Sequence, residues 1–245
     1  IPPWHMHFKT LDEWLTWQIA VHPREIELGL TRCQIVAQRL DLLPPPFPLI
    51  SVAGTNGKGS SVAFLDAILS AAGLRIGRYT SPHLLRYNER ICIAGQEASD
   101  AQLCEAFELI ETVRGDISLT FFEFGTLAAM IVFRRNQVEV AVLEVGLGGR
   151  LDAVNVFDPI ISLVTAIGID HIEWLGPDRD SIGFEKAGIF RAQRPAVCTD
   201  AHPPQSLINH AHQLATPLYC LGRDFSYTKA LDDHSWSWQS PTKTY

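Results

Sequence analysis

Residues 51–73 read "SVAGTNGKGSSVAFLDAILSAAG". Their glycines, lysine and paired serines lie between an apolar run and a helix-like apolar repeat. The spacing Gly54-Thr55-Asn56-Gly57-Lys58-Gly59-Ser60 is tighter than the usual GxxxxGK[ST] phosphate loop, yet its place between a strand and a helix start is the right one. Glycines let successive backbone N–H groups converge on an anion, and the first helical turn adds donors without internal acceptors. Lys58 would bring a point charge to the distal phosphates, and Ser60 would approach the phosphate or its magnesium. The bland alternative is a glycine-rich turn with a surface lysine.

Three further segments end strand-like runs in polar residues: "YTSPH" at 79–83, "EVGLGG" at 144–149 and "GIDH" at 168–171. They supply Ser81, His83, Glu144, Asp170 and His171. Hydroxyl, carboxylate and imidazole are all potential ligands of a hard divalent ion, imidazole being the least usual for magnesium. Singly, each has an ordinary account: Ser81 as a cap before Pro82, Glu144 as a solvated strand end, His171 as a helix starter. Ligands in open parallel sheets gather beyond the carboxyl ends of strands, so their joint placement there favours a site.

The elements that must hold these residues alternate between helical and strand patterns. "TLDEWLTWQIAV" has a cap at Thr10, with Leu11, Trp14, Leu15 and Ile19 at helical spacing. "GLTRCQIVAQRLDLL" predicts a second helix, stopped by "PPPFP". "LISVAG" predicts a buried strand, followed by a helix carrying Val62, Leu65, Ile68, Leu69 and Ala72 with Gly73 at its end. "RIGRYTS" and "RICIAG" predict short strands. "DAQLCEAFELIETVR" is an amphipathic helix, and "TFFEFGTLAAMIVFRRN" a more thoroughly apolar one. "VEVAVLEVG", "PIISLVTAIG", "AVCT" and "LYCLG" complete the strands, "PPQSLINHAHQLATP" predicts a helix before the last of them, and the tail from Asp224 looks like the start of a hairpin. Crossovers this long join parallel strands, which predicts an α/β fold with a mostly parallel central sheet flanked by helices.

Composition is compatible with that. The 245 residues are 47% hydrophobic, ample for a buried core. A net charge of −7, from 20 basic and 27 acidic side chains, argues against a general nucleic-acid surface. The five cysteines form no CxxC pair, so neither a disulfide framework nor a cysteine zinc site is indicated. No run reaches the roughly 20 apolar residues of a membrane span, and "IPPWHMHFKT" lacks a signal-peptide layout. The expectation is a cytoplasmic protein with no membrane or nucleic-acid partner.

Several ordered stretches together resemble the folylpolyglutamate synthase and dihydrofolate synthase group of the Mur ligase superfamily. They are "GTNGKGS", "YTSPHL" with "NERI", "TFFEFGTLAA", "EVGLGGRLDAVN" and "DHIEWLGPDRDSIGFEKAGIFR", with "HPREIELGL" ahead of them. The loop by itself would mark only the superfamily; "TSPHL", "GLGGRLD" and "EKAGIF" point to the folate branch. Val154 stands where the group often has threonine.

The resemblance implies a Mur-ligase-like domain that uses ATP to form an amide. A substrate carboxylate takes the γ-phosphate, and the amine of L-glutamate attacks the acyl phosphate. Substrates would be 7,8-dihydropteroate and reduced folates, in a bifunctional enzyme, or folates alone in a folylpolyglutamate synthase; a catalytically dead ATP- or folate-binding module is a further alternative. The resemblance places nucleotide binding on Gly54, Thr55, Asn56, Gly57, Lys58, Gly59 and Ser60. It places Mg2+ ligation on Ser81, Glu144 and His171, and catalysis on Lys58, Glu144, His171 and Lys186. It implies that Lys186 is carbamylated, whereas the residue pattern alone reads it as an ordinary helix lysine paired with Glu185 or solvent. It places substrate contacts on Glu27, Leu28, Gly29, Thr120, Phe121 and Asp152. It further implies residues 1–45 as a helical segment packed on an ATP-binding domain over 46–245, and a missing carboxy-terminal Rossmann-like domain whose absence would impair ligation; a monomer is the separate expectation for oligomeric state.

Overall fold

The computed structural model describes residues 8–24, 26–229 and 235–244. The stretch 1–7, the connection 230–234, Tyr245 and Glu25 of "HPREIELGL" lie outside the described residues. Among the described residues, no helix is long and apolar enough to cross a membrane.

Six parallel strands form the centre of an eight-stranded sheet: β1 (Leu49–Ala53), β2 (Ile76–Tyr79), β5 (Val140–Glu144), β6 (Ile161–Val164), β7 (Ala196–Cys198) and β8 (Leu218–Cys220). β3 (Ile91–Ile93) and β4 (Gln96–Glu97) extend one edge antiparallel, giving the order β4-β3-β2-β5-β1-β6-β7-β8. From β1 the chain crosses to β2, and from β5 it crosses back past β1 to β6. The connections therefore diverge around β1 and β5, and the crevice that such a divergence opens lies at their carboxyl ends. Register places Val52 beside Glu144, Ala53 beside Val164 and Tyr79 beside Leu143, so four strands end at one edge.

All of β1 is buried because helices cover both faces. Ile50 and Val52 point to a small cluster with Val62 of α3 (Lys58–Ala71), while Leu49 and Ala53 join the main core. That main core is built on α5 (Phe121–Arg135), buried along nearly its whole length. Gly77 lets α5 lie close on β2: a Cβ there would sit 2.7 Å from the Phe133 ring. Over α5 pack α4 (Asp100–Arg114), α1 (Leu11–Val21) and α2 (Thr31–Arg39), with Trp14 and Phe107 in ring contact at 6.0 Å. Short α6 (Ile172–Leu175) precedes α7 (Arg179–Ala187) and α8 (Gln205–Gln213). The tail forms a separate antiparallel sheet, β9 (Ser226–Lys229), β10 (Trp236–Ser240) and β11 (Lys243–Thr244), and the β9–β10 pair is the hairpin expected from the sequence.

Two apolar faces differ from their sequence patterns. In α1 the buried residues are Leu11, Trp14 and Gln18, while Ile19 is 69% exposed at a cleft mouth. In α3 Val62 is buried, but Ile68 is exposed. Helix phase set by the neighbours, and not hydropathy alone, decides which residues face in.

Candidate functional site

The glycine-rich loop leaves β1 and enters α3 with φ of +154° at Gly54 and +85° at Gly57, the N-cap. Both values favour glycine. The extension of β6 pins the loop from the side. Thr55 donates its backbone N–H to Ala166 O at 2.8 Å, and its hydroxyl oxygen accepts from Gly168 N at 3.0 Å. Thr165 Oγ1 donates to Asn56 O at 2.7 Å. A Cβ on Gly54 would come within 1.7 Å of that same Thr165 oxygen. The loop is thus held in one shape while the first-turn amides of α3, which have no helical acceptors, face the sheet edge. Lys58 Nζ folds back onto Gly54 O and Thr55 O, at 3.0 and 3.3 Å.

Glu144 ends β5 beside this loop. It is only 5% exposed, so the reading as a solvated strand end is wrong. Its carboxylate accepts a 3.2 Å bond from Ser81 N and lies against the first turn of α3 at Gly59. Burial pushes its pKa up against the opposing pull of the Ser81 amide and Lys58. A carboxylate so poorly compensated fits a cation partner. His171, with φ +49°, starts α6 as expected, and its ring stands exposed with a 3.6 Å contact to Asp170. Among the described residues no group of three or more His, Cys, Asp and Glu can hold a metal by itself. Ser81, Glu144 and His171 would therefore need phosphate oxygens and water to complete a hard-ion shell.

Lys186 departs most from its sequence reading. Glu185 is taken by Arg150, whose Nη2 donates at 2.8 Å, so it does not pair with Lys186. Lys186 itself is 3% exposed and lines a narrow niche with Gly54, Thr55, Lys58, Asp170 and His171. Burial first, and then the charge of Lys58, pull its pKa down to about 8, against the opposing pull of Asp170.

A second, larger cleft of about 800 Å³ runs from Lys58, Ser81 and His171 towards α1. Glu27, Leu28, Gly29, Thr120, Phe121 and Asp152, all named from the sequence, line it. Thr120 caps α5: its oxygen accepts from Glu123 N at 3.2 Å and its own N–H reaches Glu123 Oε2 at 2.7 Å. Asp152 caps the turn after "GGRLD", accepting from Leu147 N at 2.9 Å and Val154 N at 3.0 Å. Desolvation raises its pKa to about 6 despite those bonds. Gly29 N donates to Leu151 O at 3.0 Å, tying the segment after α1 to the same turn.

Residues the sequence reading did not single out organise this cleft. Arg32 bonds to Glu27 and lies 3.3 Å from Glu123, which fixes both carboxylates, and its charge holds the Glu27 carboxyl below the usual range. His22 bridges Ser118 Oγ at 2.8 Å and Glu27 Oε2 at 3.2 Å. Gln18 lies buried beside the cleft with neither amide atom partnered. Two of these carried a signal: "TFFE" is a capping-box pattern that marks Glu123, and Gln18 stands four residues after Trp14 on the buried face.

A parallel sheet with a glycine-rich loop at its divergence, and a roomy cleft beside it, defines an α/β domain of the phosphate-loop kind. More narrowly, residues 52–224 match the model of the Mur ligase middle domain, and the chain belongs to that family. It is 46% identical over 227 residues to the dihydrofolate synthase/folylpolyglutamate synthase of Escherichia coli (strain K12), covering 93% of this chain and 53% of that protein. The E. coli FolC structure in complex with DHPP and ADP superposes with a TM-score of 0.94 at 44% identity, over 100% of this chain and 58% of that one. The bifunctional enzyme from Yersinia pestis, complexed with AMPPNP and Mn ion, gives 0.91 at 48% identity, over 100% of this chain and 58% of that one. The chain thus spans a little over half the length of these relatives.

Proposed function

We propose that this chain forms the nucleotide- and pterin-binding part of an ATP-dependent ligase. The enzyme joins L-glutamate to 7,8-dihydropteroate and to reduced folates through an acyl phosphate. The observation that carries this reading is one cleft that links Lys58, Ser81 and His171 to all six expected substrate contacts. Its likeness over nearly the whole chain to bifunctional relatives supports the same substrates.

A free carboxylate resists an amine, and phosphorylation turns its oxygen into a leaving group. The chain's part is to position and to stabilise charge. Amides of Gly57, Lys58, Gly59 and Ser60 cradle the phosphates, and the Lys58 ammonium leaves its loop carbonyls to meet the transferred group. Ser81, Glu144 and His171 would hold Mg2+, which when bound would offset the charge of the phosphates. Asp152 accepts from pterin N–H groups, and Phe121 offers a ring to the flat heterocycle. The Asp152 carboxyl, at a pKa of about 6, is ionised at neutral pH and matches the pterin N–H donors that dihydropteroate and folates share.

Lys186 is proposed to be carbamylated. Its lowered pKa leaves about a few hundred-fold more neutral amine at pH 7 than an ordinary lysine has. That amine attacks CO2; an N–C bond forms and a proton leaves. A buried positive charge repelled by Lys58 becomes a negative one attracted to it.

The test is ATP- and L-glutamate-dependent conversion of 7,8-dihydropteroate by a protein carrying this chain at the length of its relatives. Dihydrofolate with stoichiometric ADP and phosphate is expected. Extension of tetrahydrofolate without any dihydrofolate formation would select the folate-only alternative. ATP binding without either product would leave a non-catalytic module.

A further inference from the structure

A parallel sheet has two faces to bury. On one face Val164, Ala196, Cys198 and Cys220 of β6, β7 and β8 join the main core, with Ile182 of α7 and Leu207 of α8. The other face is covered by α3, which packs on β2, β5 and β1. Among the described residues that face opens beyond β1. Val52 of β1 pairs in register with Leu163 of β6, Leu163 with Val197 of β7, and Val197 with Tyr219 of β8. The four side chains therefore form one row on one side of the sheet. Val52 and Leu163 belong to the cluster under α3, which identifies that side. Exposure climbs along the row: Val52 is buried, Leu163 and Val197 are half-buried, and Tyr219 is 49% exposed.

The flank that α3 turns to this opening is equally apolar. Asp66 lies 3.5 Å from Arg78 of β2 and so marks the β2 flank of the helix. At about 100° per residue, Ile68 and Phe64 fall on the opposite flank, towards β6. They are 63% and 71% exposed. Between Gly59 and Ala72 the only charged residue is Asp66, which Arg78 takes. The outer face of α4, by contrast, exposes Asp100, Glu105 and Glu108. The result is a channel with Phe64 and Ile68 as one wall and Leu163, Val197 and Tyr219 as its floor. From β6 to β8 the floor is roughly 10 Å wide, and one helix is about 10–12 Å across. A helix satisfies its own backbone groups while burying an apolar stripe, so it is the element that fits. This chain covers 58% of the E. coli structure it superposes on, so that relative has further polypeptide to supply one. β8, where the row ends, is the edge strand from which the chain leaves the sheet for β9.

We propose that this channel seats one amphipathic helix of the same polypeptide, drawn from the length that the relatives have beyond the match. Its apolar stripe lies on Leu163, Val197 and Tyr219, and its side rests against Phe64 and Ile68. The inference does not depend on the ligase reading. The experiment uses this chain and a protein carrying it at the length of its relatives. In each, p-benzoylphenylalanine replaces Phe64, and photo-cross-links are mapped by peptide mass spectrometry. In the longer protein, cross-links within one molecule to a helical segment outside residues 1–245 are expected. In parallel, Phe64→Glu combined with Ile68→Glu puts two charges on the channel wall. The pair should lower the melting temperature of the longer protein by about 5 °C or more and shift that of this chain by less than about 2 °C. Cross-links between two copies would overturn the proposal, by giving the face to a dimer. Cross-links confined to residues 1–245, or none at all, would overturn it too. So would equal melting shifts in the two proteins, because the patch would then be as open in the longer one. Should the doubly charged longer protein fail to fold, the cross-link map decides alone.

Discussion

Replacing Lys186 by Met should stabilise the chain in CO2-free solution while abolishing its chemistry. Lys186 is buried, its ammonium faces Lys58, and its pKa is lowered to about 8 from 10.5. Because the folded-state value is the lower one, the folded chain binds fewer protons than the unfolded chain between those limits. The penalty is therefore whole below about pH 8 and fades as pH rises towards 10.5. It amounts to about 3 kcal/mol at pH 7 and about 1.4 kcal/mol at pH 9.5. Methionine is of similar length, fills the same space and carries no charge. Urea unfolding should then show Lys186→Met more stable by about 2–3 kcal/mol at pH 7 and by roughly half that at pH 9.5. Added bicarbonate should raise the stability of the unaltered chain and leave the variant unchanged, since only the lysine can form a carbamate. A variant less stable than the unaltered chain at pH 7 without CO2 would refute the reasoning. It would mean that the ammonium already has a good partner.

Three other outcomes follow from the same geometry. Gly54→Ala places a methyl 1.7 Å from Thr165 Oγ1 at a φ of +154°, and thermal unfolding should show a loss of about 2–4 kcal/mol. Dihydropteroate affinity should fall by about tenfold or more from pH 7.5 to pH 5 as Asp152 is protonated through its pKa of about 6, and Asp152→Asn should flatten that profile in calorimetry. Asp152, whose folded-state value is raised, contributes stability that is present below pH 3.8 and lost as pH rises through about 6. The free chain should therefore lose stability as pH rises through about 6, as unfolding curves taken from pH 4 to pH 8 would show.

The fold was legible wherever local chemistry and tertiary demand coincide. Ser99 and Gly115 bracket α4, the Thr10 capping box starts α1, and the continuous apolar runs of β1 and β5 sit where a sheet covered on both faces needs them. Helix faces were less legible. Ile19 fits an apolar stripe yet borders the cleft, and Gln18 takes the buried position, because packing on α4 and α5 sets the rotation of α1. At the candidate site, the loop announced itself through glycines that positive φ values require. Lys186 did not. Its burial depends on Arg150, 36 positions earlier in the chain, capturing Glu185, and no local pattern encodes that. Arg32 was silent for the same reason: its partner Glu123 comes from another helix.

Ligation of the proposed kind requires nucleotide and pterin to meet in one cleft. Calorimetric titration of the chain with ATP–Mg2+ and then with 7,8-dihydropteroate tests this most directly, with Lys58→Ala run in parallel. Lys58 bonds only to carbonyls of its own loop, so the variant should fold normally. The prediction is one site for each ligand, with Lys58→Ala losing about 30- to 100-fold in ATP affinity and keeping dihydropteroate affinity. A folded chain that takes up neither ligand, or binds ATP equally well without Lys58, would contradict it.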